Sequence, residues 1–159
     1  MQTVVFGAGN LLLSDEGLGV HLIKHMNKKY EACDDVEFYD AGTMGILAIH
    51  KLEETQHVII VDSLEAEGEP GELRVYEKDD IMLDKIPAKM SPHQIGLQEV
   101  LTLSELRGKA PKTITFYGVI PESLESSVEL SSSVQKRVGE IDQMIVSELN
   151  AMGIELTQK

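Results

Sequence analysis

Val58-Ile59-Ile60-Val61 constrains this chain more than any other stretch. Consecutive β-branched residues are stiff at χ1 and favour extended backbone. A strand that is apolar at successive positions presents apolar side chains to both faces, so both faces must be covered. The run from His57 to Asp62 therefore reads as a central strand of a parallel sheet with helices above and below. Asp62 is the first polar residue after the apolar tetrad.

The rest of the chain repeats that theme. Val4–Phe6 is a short apolar run stopped by Gly7-Ala8-Gly9-Asn10, and Val36–Asp40 closes on Ala41-Gly42. Thr113–Val119 is the last strand. Between these runs the apolar spacing becomes helical. Leu18, Leu22, Ile23 and Met26 share one face of a helix beginning near Gly17, with Asp15 as a natural N-cap and Glu16 as a first-turn acid. Thr43 can cap a helix from Met44 to about Leu52, and another helix runs from about Gln94 to Leu106. The final helix spans Ser131–Met152, with Val134, Val138, Ile141, Ile145 and Leu149 as its core stripe. Leu73–Glu77 alternates as an edge strand, and the short connection before it suggests a hairpin back onto the third strand. Lys78–Pro92, with Pro87 and Pro92, reads as irregular.

The order β-α-β-α-β-β-α-β-α predicts an α/β fold. Its form is a three-layer sandwich, a twisted, mostly parallel five-stranded sheet with helices on both faces. A length of 159 residues suits a single domain over 1–159.

Charge narrows the function. A formal net charge of -13 repels phosphate backbones and anionic membranes, and attracts cations. Nucleic-acid and membrane partners are therefore not expected. Cys33 is the one cysteine, so no internal disulfide forms, which fits a reducing compartment. Glu31, Asp34 and Asp35 around it disfavour the thiolate, so it is read as structural or incidental. No basic leader precedes a long apolar stretch, and no run approaches membrane-spanning length. The expected location is the cytoplasm.

In open α/β sheets ligands bind beyond the carboxyl ends of the strands. The first strand delivers Gly7-Ala8-Gly9-Asn10 and then Asp15-Glu16-Gly17-Leu18-Gly19. A dinucleotide-binding loop would need glycine where Leu12 stands, and Asp15 and Glu16 would repel a pyrophosphate at the helix start. The second strand delivers Asp40, open between an Asx turn and a cleft carboxylate. The third delivers Asp62. His93 follows Ser91-Pro92 just before a helix, and histidine is the commonest metal ligand among side chains titrating near neutrality. His21 and His25 stand one turn apart but lack the intervening glutamate of a zinc-protease helix, and His50 and His57 flank a loop at the opposite end of the sheet. Were Glu16, Asp62 and His93 to meet, two carboxylates and an imidazole would suit nickel, zinc or manganese and leave positions open for substrate or water.

Gly7-Ala8-Gly9-Asn10-Leu11 with Asp15-Glu16-Gly17-Leu18-Gly19-Val20 resembles the opening signature of the [NiFe]-hydrogenase maturation endopeptidases. Asp40-Ala41-Gly42-Thr43 resembles that family's Asp-Gly-Gly-Thr block, and Val61-Asp62 and Ser91-Pro92-His93 match its later blocks. The resemblance covers essentially the whole chain. It implies a sheet between helices and an endopeptidase of aspartyl type that removes a C-terminal extension from the hydrogenase large-subunit precursor after nickel insertion. It further implies that Glu16, Asp62 and His93 contact nickel carried by the substrate, that Asp40 matters for cleavage, and that no resting cofactor is tightly bound. The precursor is the expected partner and the enzyme is expected to be a monomer. Ala41 departs from the family's glycine; if that glycine has positive φ in relatives, Ala41 would be strained by about 1 kcal/mol or more. The rival reading is a non-catalytic, nickel-sensing, chaperone-like module for the same precursor.

Overall fold

The computed structural model describes residues 3–42, 49–83, 88–89 and 97–159. His93, Thr43 and the predicted helical residues 44–48 and 94–96 lie outside the described residues.

Strands β1 (Thr3–Ala8), β2 (Val36–Gly42) and β3 (His57–Ser63) each end in small or acidic residues, as their apolar runs predict. With β5 (Leu73–Glu77) and β7 (Thr113–Val119) they form one sheet in the order β2-β1-β3-β7-β5. The first four run parallel; β5 is antiparallel at the edge. Two-residue strands β4 (Glu65–Ala66) and β6 (Ala88–Lys89) make a separate antiparallel ribbon.

Side-chain alternation along the central strands divides the interior in two. Val5, Ile59 and Val61 face α1 (Leu18–Lys29) and α5 (Ser132–Ala151), packing on Leu18, Leu22, Met26, Val138, Ile141 and Ile145. Val4, Phe6, Val58 and Ile60 face the opposite layer. There α2 (Ile49–Glu53) supplies Leu52, α3 (Lys78–Met82) supplies Ile81 and α4 (Leu97–Leu106) supplies Leu101. This is the three-layer α/β architecture expected from alternating strands and helices.

Two expectations need correction. The edge strand β5 pairs with β7, not with β3, because β7 lies between them. The burial of each strand explains the choice: β7 is buried along most of its length, whereas β5 has every residue half-buried or exposed. Only the former can fill a covered slot beside β3. Residues 78–82, read as irregular, form α3. A capping box starts it, with the Glu77 side chain accepting from the Asp80 backbone and the Asp80 carboxylate accepting the Glu77 N–H at 2.9 Å.

Among the described residues, no helix is long and apolar enough to cross a membrane.

Candidate functional site

β2 lies on one side of β1 and β3 on the other, so the strand order reverses between β1 and β3. In such sheets a crevice is expected beyond the carboxyl ends of these two strands, where the outgoing connections part. Gly7 pairs with Asp40 on one side and Val61 on the other, which brings the Gly7–Asn10, Asp40 and Asp62 segments to the same end of the sheet.

The glycines of the opening motif serve close packing at that crevice. A Cβ on Gly19 would lie 2.3 Å from the Val61 carbonyl oxygen and 2.4 Å from that of Ala8, so only glycine lets the start of α1 rest on the ends of β1 and β3. Gly9 has φ 132°, and a Cβ there would lie 1.8 Å from the Glu16 carbonyl oxygen and 3.4 Å from Asp62 Oδ1. Gly9 is thus wedged between the Glu16 backbone and the Asp62 carboxylate. The pattern that superficially suggests a phosphate loop instead draws two acid-bearing segments together.

Asp62 is fully buried at the end of β3, and its Oδ1 accepts the Ser63 N–H at 2.7 Å. Glu16 is half-buried in a 3₁₀ turn over Ser14–Gly17 that leads into α1. The structure therefore brings the Glu16 backbone and the Asp62 carboxylate to either side of Gly9. Asp40 is exposed, and its Oδ1 accepts the Gly42 N–H at 3.0 Å in an Asx-type turn. The Gly42 carbonyl in turn accepts the Gly9 N–H at 2.8 Å, so Asp40 shapes the wall that supports Gly9. Two strand spacings separate β2 from β3, about 10 Å. His93, the remaining predicted ligand, lies outside the described residues. Among the described residues no three His, Cys, Asp or Glu side chains gather closely enough to hold a metal. A metal contacting Glu16 and Asp62 must draw further ligands from elsewhere, such as His93 or an incoming substrate.

Ala41 is extended and buried within β2; positive φ falls instead on Gly42, at 52°. The strain conditionally expected at Ala41 is absent.

Asp15 also differs from its expected role. The residue preceding α1 is Gly17, and Asp15 turns away from the helix to the loop after β7. It is fully buried and accepts four hydrogen bonds: from the Glu122 and Ser123 N–H groups at 2.8 and 2.9 Å, and from the Ser131 N–H and hydroxyl, both at 2.7 Å. Its partners are more than a hundred residues away, so no local pattern could identify them.

Two of the remaining histidines hold contacts within the molecule. His25 Nε2 lies 2.8 Å from Asp142 Oδ2, which occupies His25 with a helix–helix contact and breaks up the His21–His25 pair as a metal site. Asp142 is buried on α5 and also accepts Lys29 Nζ at 2.9 Å and Tyr30 Oη at 2.7 Å. Burial pushes the Asp142 carboxyl up, but the hydrogen bonds from Tyr30, Lys29 and His25 outweigh it and hold the group below its ordinary value. His57 sits at the amino ends of the strands, with Nδ1 2.7 Å from Thr113 Oγ1. Cys33 is half-buried and free.

Comparison with known proteins finds relatives along nearly the whole chain. The family model described as hydrogenase maturation protease matches residues 20–148. The hydrogenase 2 maturation protease of Escherichia coli (strain K12) is 33% identical over 160 residues, covering 98% of this chain and 94% of the relative. The hydrogenase expression/formation protein HupD of Bradyrhizobium diazoefficiens is 36% identical over 124 residues, covering 78% of this chain and 65% of the relative. Among solved structures, the hydrogenase maturating endopeptidase HybD from E. coli superposes with a TM-score of 0.91 at 32% identity, over 100% of this chain and 98% of the other.

Proposed function

This chain belongs to the hydrogenase maturation proteases, and from that premise we propose that it removes a C-terminal extension from the nickel-loaded precursor of a [NiFe]-hydrogenase large subunit. That it is an endopeptidase of hydrogenase maturation follows from the family. The terminus cleaved and the dependence on nickel are the proposal.

One observation carries it. Gly9 is wedged between the Glu16 backbone and the Asp62 carboxylate at the point where the strand order reverses. This brings two acidic segments to a mouth formed by residues 7–20, which contain no Lys or Arg. Carboxylates attract a cation brought by the partner. Carboxylate and imidazole donors suit a divalent metal of intermediate hardness. In this reading Glu16, Asp62 and His93 contact nickel while the precursor's own thiolates hold it.

Nickel then acts as a recognition handle that fixes the scissile peptide over the crevice. Glu16, at the half-buried rim, takes a proton from a water as that water attacks the peptide carbonyl. The proton passes to the amide nitrogen as the C–N bond breaks, giving a carboxylate terminus and a free amine. Asp62, buried and anchored by the Ser63 N–H, is the second carboxylate of this reading. Asp40 supports the loop that carries Gly9 and adds negative charge at the rim.

Intact-mass analysis of the precursor, with and without nickel, tests this directly. Loss of a C-terminal peptide from the nickel-loaded sample alone is expected. A stable complex without shortening would favour the chaperone-like module, and cleavage of both samples would remove nickel as the gate.

A further inference from the structure

The two loops flanking the mouth are fastened to one another across the surface. Ser14 N–H donates to the Ser127 carbonyl at 2.9 Å, Ser127 N–H to the Leu12 carbonyl at 3.0 Å, and Asp15 N–H to the Ser123 carbonyl at 3.1 Å. The Ser14 hydroxyl donates to the Glu125 carbonyl at 2.6 Å, and Leu13 bridges Ser127. The buried Asp15 carboxylate adds its four bonds to the same junction. Ser14 holds a positive φ of 48°, the one such value among described residues other than glycine. Backbone held in this sparsely populated region persists where the surroundings over-determine it, and it clusters at functional surfaces.

What these pinned loops present is apolar. Leu12 is 64% exposed, Val128 55% and Leu124 38%. Leu12 and Val128 stand one position either side of the Leu13–Ser127 bridge, and Leu124 follows the Ser123 held by Asp15. A single exposed leucine is ordinary, but three apolar side chains on two mutually fixed loops make a preformed contact surface. Glu122, Glu125 and Glu129 are exposed around them. Neither the stretch from Thr3 to Val20 nor that from Pro121 to Gln135 contains a Lys or Arg. Charge complementarity thus selects a cationic partner, and the apolar side chains supply the desolvated contact.

We infer that the joined 9–16 and 121–131 loops are the docking surface for the precursor, and that they take a precursor segment whose apolar side chains are interspersed with Lys or Arg. The inference rests on the function proposed above, and it adds the chemistry by which the substrate is chosen. The surface is continuous with the crevice: Leu12 and Glu16 share one loop, and the 121–131 loop leaves β7, the neighbour of β3. Rigid loops need little ordering when the partner arrives, which favours affinity.

Steady-state cleavage of the nickel-loaded precursor tests it with two variants. One combines Leu124→Ser with Val128→Ser; the other combines Glu125→Lys with Glu129→Lys. All four positions are exposed, and unchanged melting temperatures verify folding. The apolar variant is expected to raise KM about tenfold with kcat within about twofold, because it removes contacts made equally in ground and transition states. The charge-reversed variant is expected to raise KM and to flatten the fall of kcat/KM with added salt. Wild-type KM in both variants, or a fall in kcat alone, overturns the surface while leaving the protease reading intact. If the wild-type protein binds precursor without cleaving it, the protease reading fails, and the same variants are judged by Kd with the same expected shifts. A wild-type protein that neither binds nor cleaves removes both.

Discussion

Helix α1 has a buried carboxylate near each end, and the two ends treat charge in opposite ways. At the carboxyl end, Asp142 meets Lys29, His25 and Tyr30, so the negative charge is answered by side chains of the same molecule. At the amino end, Asp15 is answered by backbone amides and a serine, and Asp62 takes the Ser63 N–H, in segments without Lys or Arg. A matched charge ties two elements together. Bonds from amides bring no full opposite charge of their own, and the function proposed above calls for negative charge where a metal-bearing partner arrives. The first arrangement serves stability, and the proposed function assigns recognition to the second, although both use the same side chain.

That contrast can be broken by exchanging losses. Asp62→Asn and Glu16→Gln are each expected to lower the rate of precursor cleavage by about a hundredfold or more, the scale of a lost positioned base or ligand. Melting temperature should change little for Glu16→Gln. Cleavage at the wild-type rate by either variant would move the chemistry elsewhere. Gly9→Ala is the next largest effect. Its Cβ would lie 1.8 Å from the Glu16 carbonyl oxygen at a φ of 132°, so the loop must shift. A loss of about 2–4 kcal/mol in urea unfolding, together with slowed cleavage, is the expected pair of readouts. Stability near wild type would mean that the wedge is not tight.

The opposite end should show the reverse signature. Asp142→Asn is expected to cost about 2 kcal/mol at neutral pH, with kcat on the precursor unchanged. Because the folded-state value of Asp142 is depressed, its contribution is present above the unfolded carboxyl value near about 3.9 and is lost as pH falls through the folded value. The stability gap between wild type and variant should therefore narrow in acid. A gap that stayed constant down to low pH would assign the loss to shape rather than charge.

How legible this was in the sequence depended on whether each feature was local. β7 spans the expected Thr113–Val119, and β3 extends one residue past the expected His57–Asp62, because a strand buried on both faces leaves few alternatives. Asp62 was legible for the same reason, as the first polar residue after such a run. The pairing of β5 was not, since a short connection suits either neighbour and only the greater burial of β7 decides between them. Asp15 was misread because an acid before a helix already has a sufficient local explanation, while its true partners are 107 to 116 residues downstream. Asp142 left one clue, a charge beside Ile141 and one turn after Val138 on the buried stripe of α5. Its partners on and just after α1 could not be inferred from that stripe alone. Within the opening motif, the glycine spacing was visible, but the close packing it permits depends on where α1 and β3 sit.

The central claim is that Glu16 and Asp62 meet the nickel of the incoming precursor. Nickel X-ray absorption on freeze-trapped mixtures of nickel-loaded precursor with wild-type protein, and with Asp62→Asn, tests it most directly. The account predicts new oxygen or nitrogen scattering around nickel when wild-type protein is added, diminished with the variant. A nickel spectrum identical with and without wild-type protein, under conditions where the precursor is bound and then cleaved, would contradict it.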